Sequence, residues 1–369
     1  MSYATQVYRA LLQGNGIDRS HVSAWQNFDI ARTFLDLGFQ VDVIHFEDYQ
    51  TVPERCYDVV VDIVSNLGRL ADHLDGDAVK ILFPMFAHWT VHNSRSYARH
   101  AALARRRGVS IMLLRILTPN DSVERADHIL CTGGIFNQDT YSYSDTPVTA
   151  ISANTPTAID EYLDRDIQRR RHHCVWIGGS SAIHKGLDLV LEAFASLPEF
   201  HLTVIGKVPD ERRFTAVYRN ELFELPNIET VGWMDTLSPA FRKIASESIA
   251  IVVPSASEAS CGSVIAGMMN GLIPITTEST DIDTSGIGFS IEEDTVEAVR
   301  NAVLHLADQT NKSLADLSRS AWEAVQLRYG RQKFLKSLRA ALCDILYLEP
   351  ARVWQNENES PRIPKIELV

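Results

Sequence analysis

Short β-branched apolar runs alternate with longer amphipathic segments along the first half of the chain. The amphipathic segments predict a helix at 27–37, which Gly38 ends, and a helix at 94–107, with Asn93 as its cap and Gly108 at its end. The apolar runs predict buried strands at 41–46, 59–64, 79–83, 129–131 and 148–151. This alternation is typical of a parallel α/β sheet that is covered by helices.

A highly charged stretch at 159–173 interrupts the alternation, and we interpret it as an exposed connection between two domains. An apolar stripe further on predicts a last helix at 331–348, whereas the polar segment 349–369 is expected to be a loosely held tail. The predicted domains are therefore 1–158 and 174–330. Within the second domain the pattern predicts strands at 174–177, 201–205, 228–231, 249–253 and 273–276 and helices at 187–197, 263–270, 295–307 and 314–326.

The composition is that of an ordinary globular protein and points to no other class of protein. The chain has 369 residues, of which 45% are hydrophobic and 22% charged, and its length fits two domains at roughly 150 residues each. The net charge of −12 argues against nucleic acid as the main partner, although it leaves room for a local basic pocket. No apolar run approaches the roughly 18 residues of a membrane span, and no signal segment opens the chain.

The 5 cysteines lie far apart and form no CxxC pair. Zinc-ligand spacing and a disulfide framework are therefore both disfavoured, and we expect a cytoplasmic protein in a reducing compartment.

The first candidate site follows the predicted strand 249–253, where a loop containing Glu258 leads into a helix at Gly262 and Ser263. Ligands of parallel sheets bind beyond the carboxyl ends of the strands, and the free amides of a helix N-terminus favour an anion. A fixed carboxylate at Glu258 could accept hydrogen bonds from two sugar hydroxyls. The residues fit equally well an ordinary strand–loop–helix turn with an exposed Glu258.

The second candidate site is the small-residue loop from Gly178 to Gly186, which ends in His184-Lys185-Gly186. Lys185 enters the next helix as a point charge that suits a phosphate. The glycine spacing is not that of a P-loop, and no GxGxxG follows a strand, so a nicotinamide dehydrogenase is disfavoured. Taken alone, a lysine at a helix start is more often solvated.

The first half contains two weaker candidates. His88 and His92 are four residues apart, but no third ligand lies near them, so a structural or hydroxyl-binding role is favoured over a metal site. The glycines Gly14 and Gly16, followed by His21, form a loop that fits either a phosphate or sugar cradle or a plain turn.

Six segments together resemble the donor-binding domain of the retaining GT-B glycosyltransferases of family 4. Each segment is weak alone, but their order and spacing are specific. Residues 20–44, the region from Ala87 to Asn93 and Ala126-Asp127-His128 further resemble a bacterial surface-polysaccharide subgroup. The six donor-side segments are Trp176-Ile177-Gly178-Gly179, His184-Lys185-Gly186-Leu187, Leu202-Thr203-Val204-Ile205-Gly206, Asn227-Ile228-Glu229-Thr230-Val231-Gly232-Trp233, Val253-Pro254-Ser255-Ala256-Ser257-Glu258 and Gly271-Leu272-Ile273-Pro274-Ile275.

The resemblance implies an α/β protein of the GT-B fold, with two Rossmann-like parallel-sheet domains that face a central cleft. The helix 331–348 would cross back to the first domain. The implied activity is metal-independent, retaining transfer of a sugar from a nucleotide-sugar donor, with no cofactor, to a glycan or other hydroxyl acceptor in polysaccharide biosynthesis. Peripheral membrane association and membership of a polysaccharide-assembly complex stay open. A degenerate non-catalytic scaffold subunit and a nucleotide-sugar epimerase of the same fold are the alternatives.

The resemblance also implies roles for individual residues, with Glu258, Lys185 and His92 as the catalytic set. Lys185 would bind the donor diphosphate and Glu258 the transferred sugar. Gly14, Gly16, His21, His88 and His92 would lie on the acceptor side, the first two facing the phosphates. The remaining donor-binding residues would be Gly178, Gly179, Ser180, Gly206, Lys207, Val231, Gly232, Trp233, Gly262, Ser263 and Val264.

Three departures from the family pattern bear on the donor. Ala266 stands where the family has a second glutamate that holds the ribose, and Ser180 stands where it usually has an arginine. Losing that arginine removes a fork-shaped phosphate partner. The chain also begins so close to Gly14 that the first strand is either short or lies within 6–12.

Overall fold

The computed structural model describes residues 1–17, 22–155 and 161–348, together with the backbone of 366–368. Two parallel sheets form the protein. The first has the order β13-β2-β1-β3-β4-β5-β6, and its strands are β1 (Ser2–Tyr3), β2 (Val41–His45), β3 (Val59–Asp62), β4 (Val79–Leu82), β5 (His128–Thr132), β6 (Val148–Ile151) and β13 (Ile366–Leu368). The second has the order β12-β11-β10-β7-β8-β9, and its strands are β7 (His173–Gly178), β8 (His201–Gly206), β9 (Ile228–Gly232), β10 (Ala250–Val253), β11 (Ile273–Thr277) and β12 (Phe289–Ile291).

Helices cover both sheets. Those that precede the second sheet are α1 (Gln6–Leu12), α2 (Val22–Asp36), α3 (Asn66–Ala71), α4 (Trp89–Arg107), α5 (Ser122–Arg125), α6 (Ile135–Asp139) and α7 (Ile167–Arg170). Those that follow are α8 (Leu187–Ala195), α9 (Arg212–Val217), α10 (Arg219–Phe223), α11 (Pro239–Ser246), α12 (Gly262–Met269), α13 (Val296–Ala307), α14 (Asn311–Arg328) and α15 (Arg331–Ile345).

The start of the chain resolves the two alternatives for the first strand. The strand is the short one, Ser2–Tyr3, and it pairs with both β2 and β3. Residues 6–12 form helix α1 instead, with Val7, Tyr8 and Leu11 buried on one face. The apolar spacing of that segment is helical, and this is why it packs over the sheet rather than within it.

Helix α4 begins at Trp89, five residues earlier than predicted, with His88 in the cap position. The prediction that Asn93 caps this helix is wrong. The Asn93 amide instead bonds both backbone groups of Leu117, with Nδ2 to the carbonyl at 2.8 Å and Oδ1 from the N–H at 2.9 Å. Asn93 therefore anchors the segment that follows the helix.

The charged stretch before the second sheet is not simply exposed. Arg165 is buried and donates to the carbonyls of Ser248, at 3.0 Å, and Asn270. Tyr162 Oη lies 2.8 Å from Ser318 Oγ. These contacts hold 161–165 against the second domain because the loops there present carbonyls that the guanidinium satisfies.

The end of the chain returns to the first sheet. Helix α15 buries Phe334, Leu338 and Leu342 in the same apolar cluster as Phe83 and the first-sheet strands. Beyond it, Ile366–Leu368 pairs in parallel with β2 as the edge strand, so this part of the predicted loose tail belongs to the sheet.

Candidate active site

Glu258 lies at the centre of the candidate site, in the loop after β10. The residue is only 6% exposed, and its Oε1 accepts a hydrogen bond of 2.8 Å from Ser255 Oγ. Its backbone N–H donates to the Ser279 carbonyl at 2.8 Å, which fixes the loop against the next strand connection. The alternative of an exposed Glu258 in a plain turn is therefore not what the structure shows.

Lys185 faces Glu258 from the loop after β7. Its Nζ lies 2.7 Å from Glu258 Oε1 and 3.6 Å from Cys261 Sγ, at the residue that precedes α12. The backbone carbonyl of Lys185 accepts a hydrogen bond of 3.1 Å from Trp176 Nε1. Lys185 is thus a buried cation held between two loops, and the alternative of a solvated lysine does not apply.

A second cation reaches Glu258 from the first domain. Arg115 Nη1 lies 3.4 Å from Glu258 Oε1. Burial opposes the charged form of the carboxylate, but the charges of Arg115 and Lys185 outweigh it and hold the pKa of Glu258 well below its usual range. Glu258 is therefore ionised throughout the physiological pH range.

Two neutral histidines lie beside the ion pair. The rings of His92 and His184 are 4.8 Å apart, and both contact Ser257: His92 Nδ1 through the hydroxyl at 3.3 Å and His184 Nε2 through the carbonyl at 2.7 Å. Burial lowers the pKa of His92 to about 4 and that of His184 to about 3, with Arg115 adding to each shift. At neutral pH these rings can donate or accept hydrogen bonds without carrying charge.

The N-terminus of α12 opens next to Lys185. Gly262 is exposed, and a Cβ placed on it would meet no atom within 4 Å, so its backbone is accessible to a ligand. The N–H of Val264 already donates to the Cys261 carbonyl at 3.0 Å, and its side chain is buried. Gly262 and Ser263 are thus the accessible part of the predicted phosphate site, whereas Val264 contributes packing.

The other predicted donor-side residues lie along the carboxyl ends of three neighbouring strands. Gly178 ends β7, Gly206 ends β8 and Gly232 ends β9, and Gly178 pairs directly with Gly206. A Cβ on Gly206 would lie 2.1 Å from the Gly178 carbonyl, which explains the need for glycine there. Trp233 follows with 55% of its surface exposed. Gly179, Ser180 and Lys207 are exposed and Val231 is half-buried.

The predicted acceptor-side residues do not form one group. His92 joins the Glu258 cluster, whereas His88 lines a separate cavity in the first domain, with Trp89 and Tyr141. The His88 ring contacts Thr90 Oγ1 at 2.7 Å and Tyr143 Oη at 3.3 Å. Gly14 and Gly16 are exposed just after α1, with no atom within 4 Å of an added Cβ, and His21 lies outside the described residues.

Sequence reasoning missed the contribution of helix α4. Ser96 Oγ lies 3.0 Å from His184 Nδ1, and Arg99 donates to the Pro254 carbonyl at 2.9 Å and to Asp294 at 2.7 Å. Further along, Arg106 binds Asp188 and Glu192, and Arg107 binds Glu192 and Glu221. We call these contacts of Ser96, Arg99, Arg106 and Arg107 the domain seam. Their helical spacing on one face was the available signal.

Within the described residues, no group of three or more His, Cys, Asp or Glu side chains is arranged to hold a metal ion. The helices of that same part of the chain include none that is long and apolar enough to cross a bilayer.

Comparison with known proteins places this geometry in context. Residues 171–309, which contain Lys185 and Glu258, match the profile of the family described as glycosyl transferases group 1. No curated protein sequence matches the chain.

Three solved structures are similar in fold. S. aureus TarM, solved with fondaparinux, alpha-GlcNAc-glycerol and UDP, has a TM-score of 0.53 and 12% identity over 88% of this chain, which spans 58% of TarM. Anabaena HepE, solved with UDP-glucose, has a TM-score of 0.56 and 12% identity over 86% of this chain and 94% of HepE. WaaG, a glycosyltransferase of lipopolysaccharide biosynthesis, has a TM-score of 0.53 and 16% identity over 88% of this chain and 95% of WaaG.

At these identities the likeness concerns the fold. The α/β architecture, with two Rossmann-like parallel-sheet domains, is that of the GT-B glycosyltransferases, as the resemblance in the sequence predicted.

Proposed function

We propose that this protein is a glycosyltransferase that transfers a sugar from a nucleotide-activated donor to a hydroxyl acceptor. The observation that carries the proposal is the buried pair of Lys185 and Glu258 beside the open N-terminus of α12. Parallel sheets bind ligands at this edge, and the residues there offer one fixed cation, one fixed carboxylate and free helix amides.

Each of these groups has a separate task in sugar transfer. Lys185 and the start of α12 stabilise the negative charge that develops on the departing diphosphate. The Glu258 carboxylate, ionised at neutral pH, accepts hydrogen bonds from hydroxyls of the transferred sugar. His92 is neutral and close to Glu258, so its ring is available to hydrogen-bond the sugar without competing for the phosphates.

The finer features of the reaction extend the proposal. Transfer proceeds with retention, as the resemblance to the retaining family implies. It needs no metal, because the cations that face the leaving group are supplied by the protein, and it uses no cofactor beyond the nucleotide-sugar. The acceptor is a glycan of a surface polysaccharide. TarM, HepE and WaaG support a nucleotide-sugar donor and a polysaccharide setting, since their structures were solved with UDP or UDP-glucose or were assigned to lipopolysaccharide biosynthesis.

One observation favours the alternative of a non-catalytic subunit. Glu211 places its carboxylate on the loop after β7, where Oε1 accepts from the Ala182 N–H at 2.9 Å. A carboxylate at this loop, together with Ser180 in place of arginine, reduces the positive charge that a donor diphosphate would meet.

The test is calorimetry with a panel of nucleotide-sugars, followed by product analysis with the donor that binds. We expect one donor to bind, and Lys185→Met and Glu258→Gln to lower transfer on the order of 100-fold with the fold retained. Lys312→Met, an exposed lysine on α14, is the matched control and should leave transfer unchanged.

The outcomes separate the alternatives. Failure of every nucleotide-sugar to bind the wild-type protein would favour the scaffold subunit. An isomerised donor in the absence of acceptor would identify an epimerase, and full transfer by both site variants would overturn the proposed site.

A further inference from the structure

The apolar run 111–117, between α4 and α5, has an unexpected path. It forms neither strand nor helix, because β4 pairs directly with β5 through Ile81 and His128. Ile111 packs instead into the apolar core of the second domain, while Leu117 is clamped by the Asn93 amide of the first. The segment between them therefore bridges the two domains, and it carries Arg115.

Arg115 is oriented toward the candidate site by two contacts. Its guanidinium carbon lies 4.8 Å from the centre of the Phe86 ring, and Nη1 lies 3.4 Å from Glu258 Oε1. The side chain is 25% exposed, so it is directed but not enclosed. A guanidinium held in this way keeps free N–H donors for a ligand, because only one of its nitrogens approaches Glu258.

The cavity beside Arg115 belongs to both domains. Arg115 and Ser96 line it from the first domain, and Ser181, His184 and Glu211 line it from the second. Ser181 directly follows Ser180, the position at which the donor loop lacks a cation. The guanidinium of Arg115 thus faces the loop from across the domain boundary.

The charges around this cavity explain what the guanidinium can bind. Arg115 and Lys185 share one carboxylate, Glu258, while Glu211 is held by the Ala182 N–H and the two histidines are neutral. If Glu258 turns to the hydroxyls of a sugar, both cations lose their partner, and Lys185 is largely shielded from solvent. An anion between them would restore the balance.

We propose that Arg115 binds the diphosphate of the donor together with Lys185, and so supplies from the first domain the fork-shaped cation that Ser180 does not. The proposal rests on the proposed function. Both domains then contribute residues to the donor site. When the donor enters, Glu258 leaves Arg115 and Lys185 and binds the sugar, while the two cations bind the diphosphate.

The test measures how tightly the wild type and four variants bind UDP, GDP, ADP, CDP and dTDP. Binding of the five corresponding nucleosides is measured in the same way for comparison. We expect Arg115→Met to weaken the tightest-binding diphosphate roughly 10- to 100-fold, as loss of a charged hydrogen bond does, and to leave nucleoside binding unchanged. Ser180→Arg in the Arg115→Met background should restore most of the affinity, since it places a guanidinium on the donor loop, next to Ser181 of the cavity lining. Arg105→Met, an exposed arginine on α4, is the control and should bind like the wild type.

The results distinguish this inference from the function itself. If the wild type binds a diphosphate and Arg115→Met binds it equally well, Arg115 has no part in the site while the proposed function stands. If Arg115→Met loses affinity for the diphosphate and for the nucleoside equally, and Ser180→Arg does not restore it, the role of Arg115 is purely structural and the inference is overturned. If the wild type binds no diphosphate, both proposals fall. Arg115→Lys, which keeps the charge, should retain more affinity than Arg115→Met and replaces it if the latter does not fold.

Discussion

The two sides of the candidate site are built in different ways. On the donor side, Lys185 and Glu258 lie in loops that directly follow β7 and β10, so their position depends on neighbouring parallel strands. On the other side, His92, Ser96 and Arg99 lie on one helix whose partners are far away in the sequence, such as Pro254 for Arg99. The first arrangement follows from local strand–loop–helix order, and the second only from how the two domains meet.

The two sides also differ in the interactions that stabilise them. The donor loops rest on a continuous apolar core, whereas the domain seam consists of ion pairs and hydrogen bonds around Leu103, which is buried in the core of the second domain. Partly buried ion pairs add little when intact, but they are costly when one partner is removed. Substitutions in the seam ion pairs should therefore act on stability, whereas substitutions of Lys185 or Glu258 should act on binding as well.

The largest effect is expected for Arg106→Met. Asp188 is fully buried and lies 2.5 Å from Arg106, so the substitution leaves a buried carboxylate without its close partner. We expect the free energy of unfolding to fall by about 3–5 kcal/mol, measured by urea denaturation. Adding Asp188→Asn should recover most of the loss. Arg300→Met, which breaks an exposed pair with Glu297, should cost less than about 0.5 kcal/mol. Equal stability of Arg106→Met and the wild type would show that the seam ion pairs do not hold the domains.

A pH-dependent effect is expected at Asp281, which joins the second domain to the first. Its carboxylate accepts from the Gly134 N–H at 2.7 Å, and burial raises its pKa from 3.8 to about 6. Between pH 4 and pH 6 the folded protein therefore retains a proton that the unfolded chain has released, so stability falls as the pH rises through this window and is constant above it. The fall should reach about 3 kcal/mol relative to Asp281→Asn.

The measurement is the difference in unfolding free energy between the wild type and Asp281→Asn from pH 4 to pH 8. Asp283 is the matched control: hydrogen bonds from Ser285 lower its pKa below 3.8, so its protonation affects stability only at more acidic pH, and the difference between the wild type and Asp283→Asn should stay nearly constant from pH 4 to pH 8. A difference between the wild type and Asp281→Asn that stays constant across the range would contradict the prediction.

The smallest of the three effects is expected for Gly186→Ala, at the point where the two sides of the site meet. Gly186 has a φ of +72°, and a Cβ there would lie 2.3 Å from the Pro254 carbonyl and 2.8 Å from Arg99 Nη1. We expect a loss of about 2 kcal/mol, from backbone strain and the displaced Arg99, in thermal and urea unfolding. Gly179→Ala, in open space in the same loop, should cost less than about 0.5 kcal/mol. Similar losses in both variants would mean that neither the backbone strain nor the close contacts of a Cβ at Gly186 carry the expected energy.

Local pattern was a good guide to the sheets. Strand 148–151 was predicted with its observed ends, and the other predicted strands agree to within a few residues, because a buried parallel strand is a continuous apolar run. The strand Phe289–Ile291 was missed, since its three residues are too short to form such a run. The loops containing Lys185 and Glu258 were found because they follow strong strands.

Local pattern failed where a polar side chain serves a distant partner. Asn93 has the composition of a helix cap, yet its amide is used 24 residues further on, at Leu117. Arg165 belongs to a stretch with the composition of an exposed connection, yet it is buried against two carbonyls. Arg115 stands in an apolar run that gives no sign of a binding role, and only the path of that run across the domain boundary brings it to Glu258.

The sequence alone determined the alternating strands and helices, the order of the second sheet's motifs and the two loops that carry the central ion pair, because periodicity and strand ends are local properties of the chain. The tertiary structure decided which cations reach Glu258 and how α4 joins the domains. The reason is physical: the position of an ionic side chain depends on the partner that compensates its charge, and those partners lie 82 to 195 residues away.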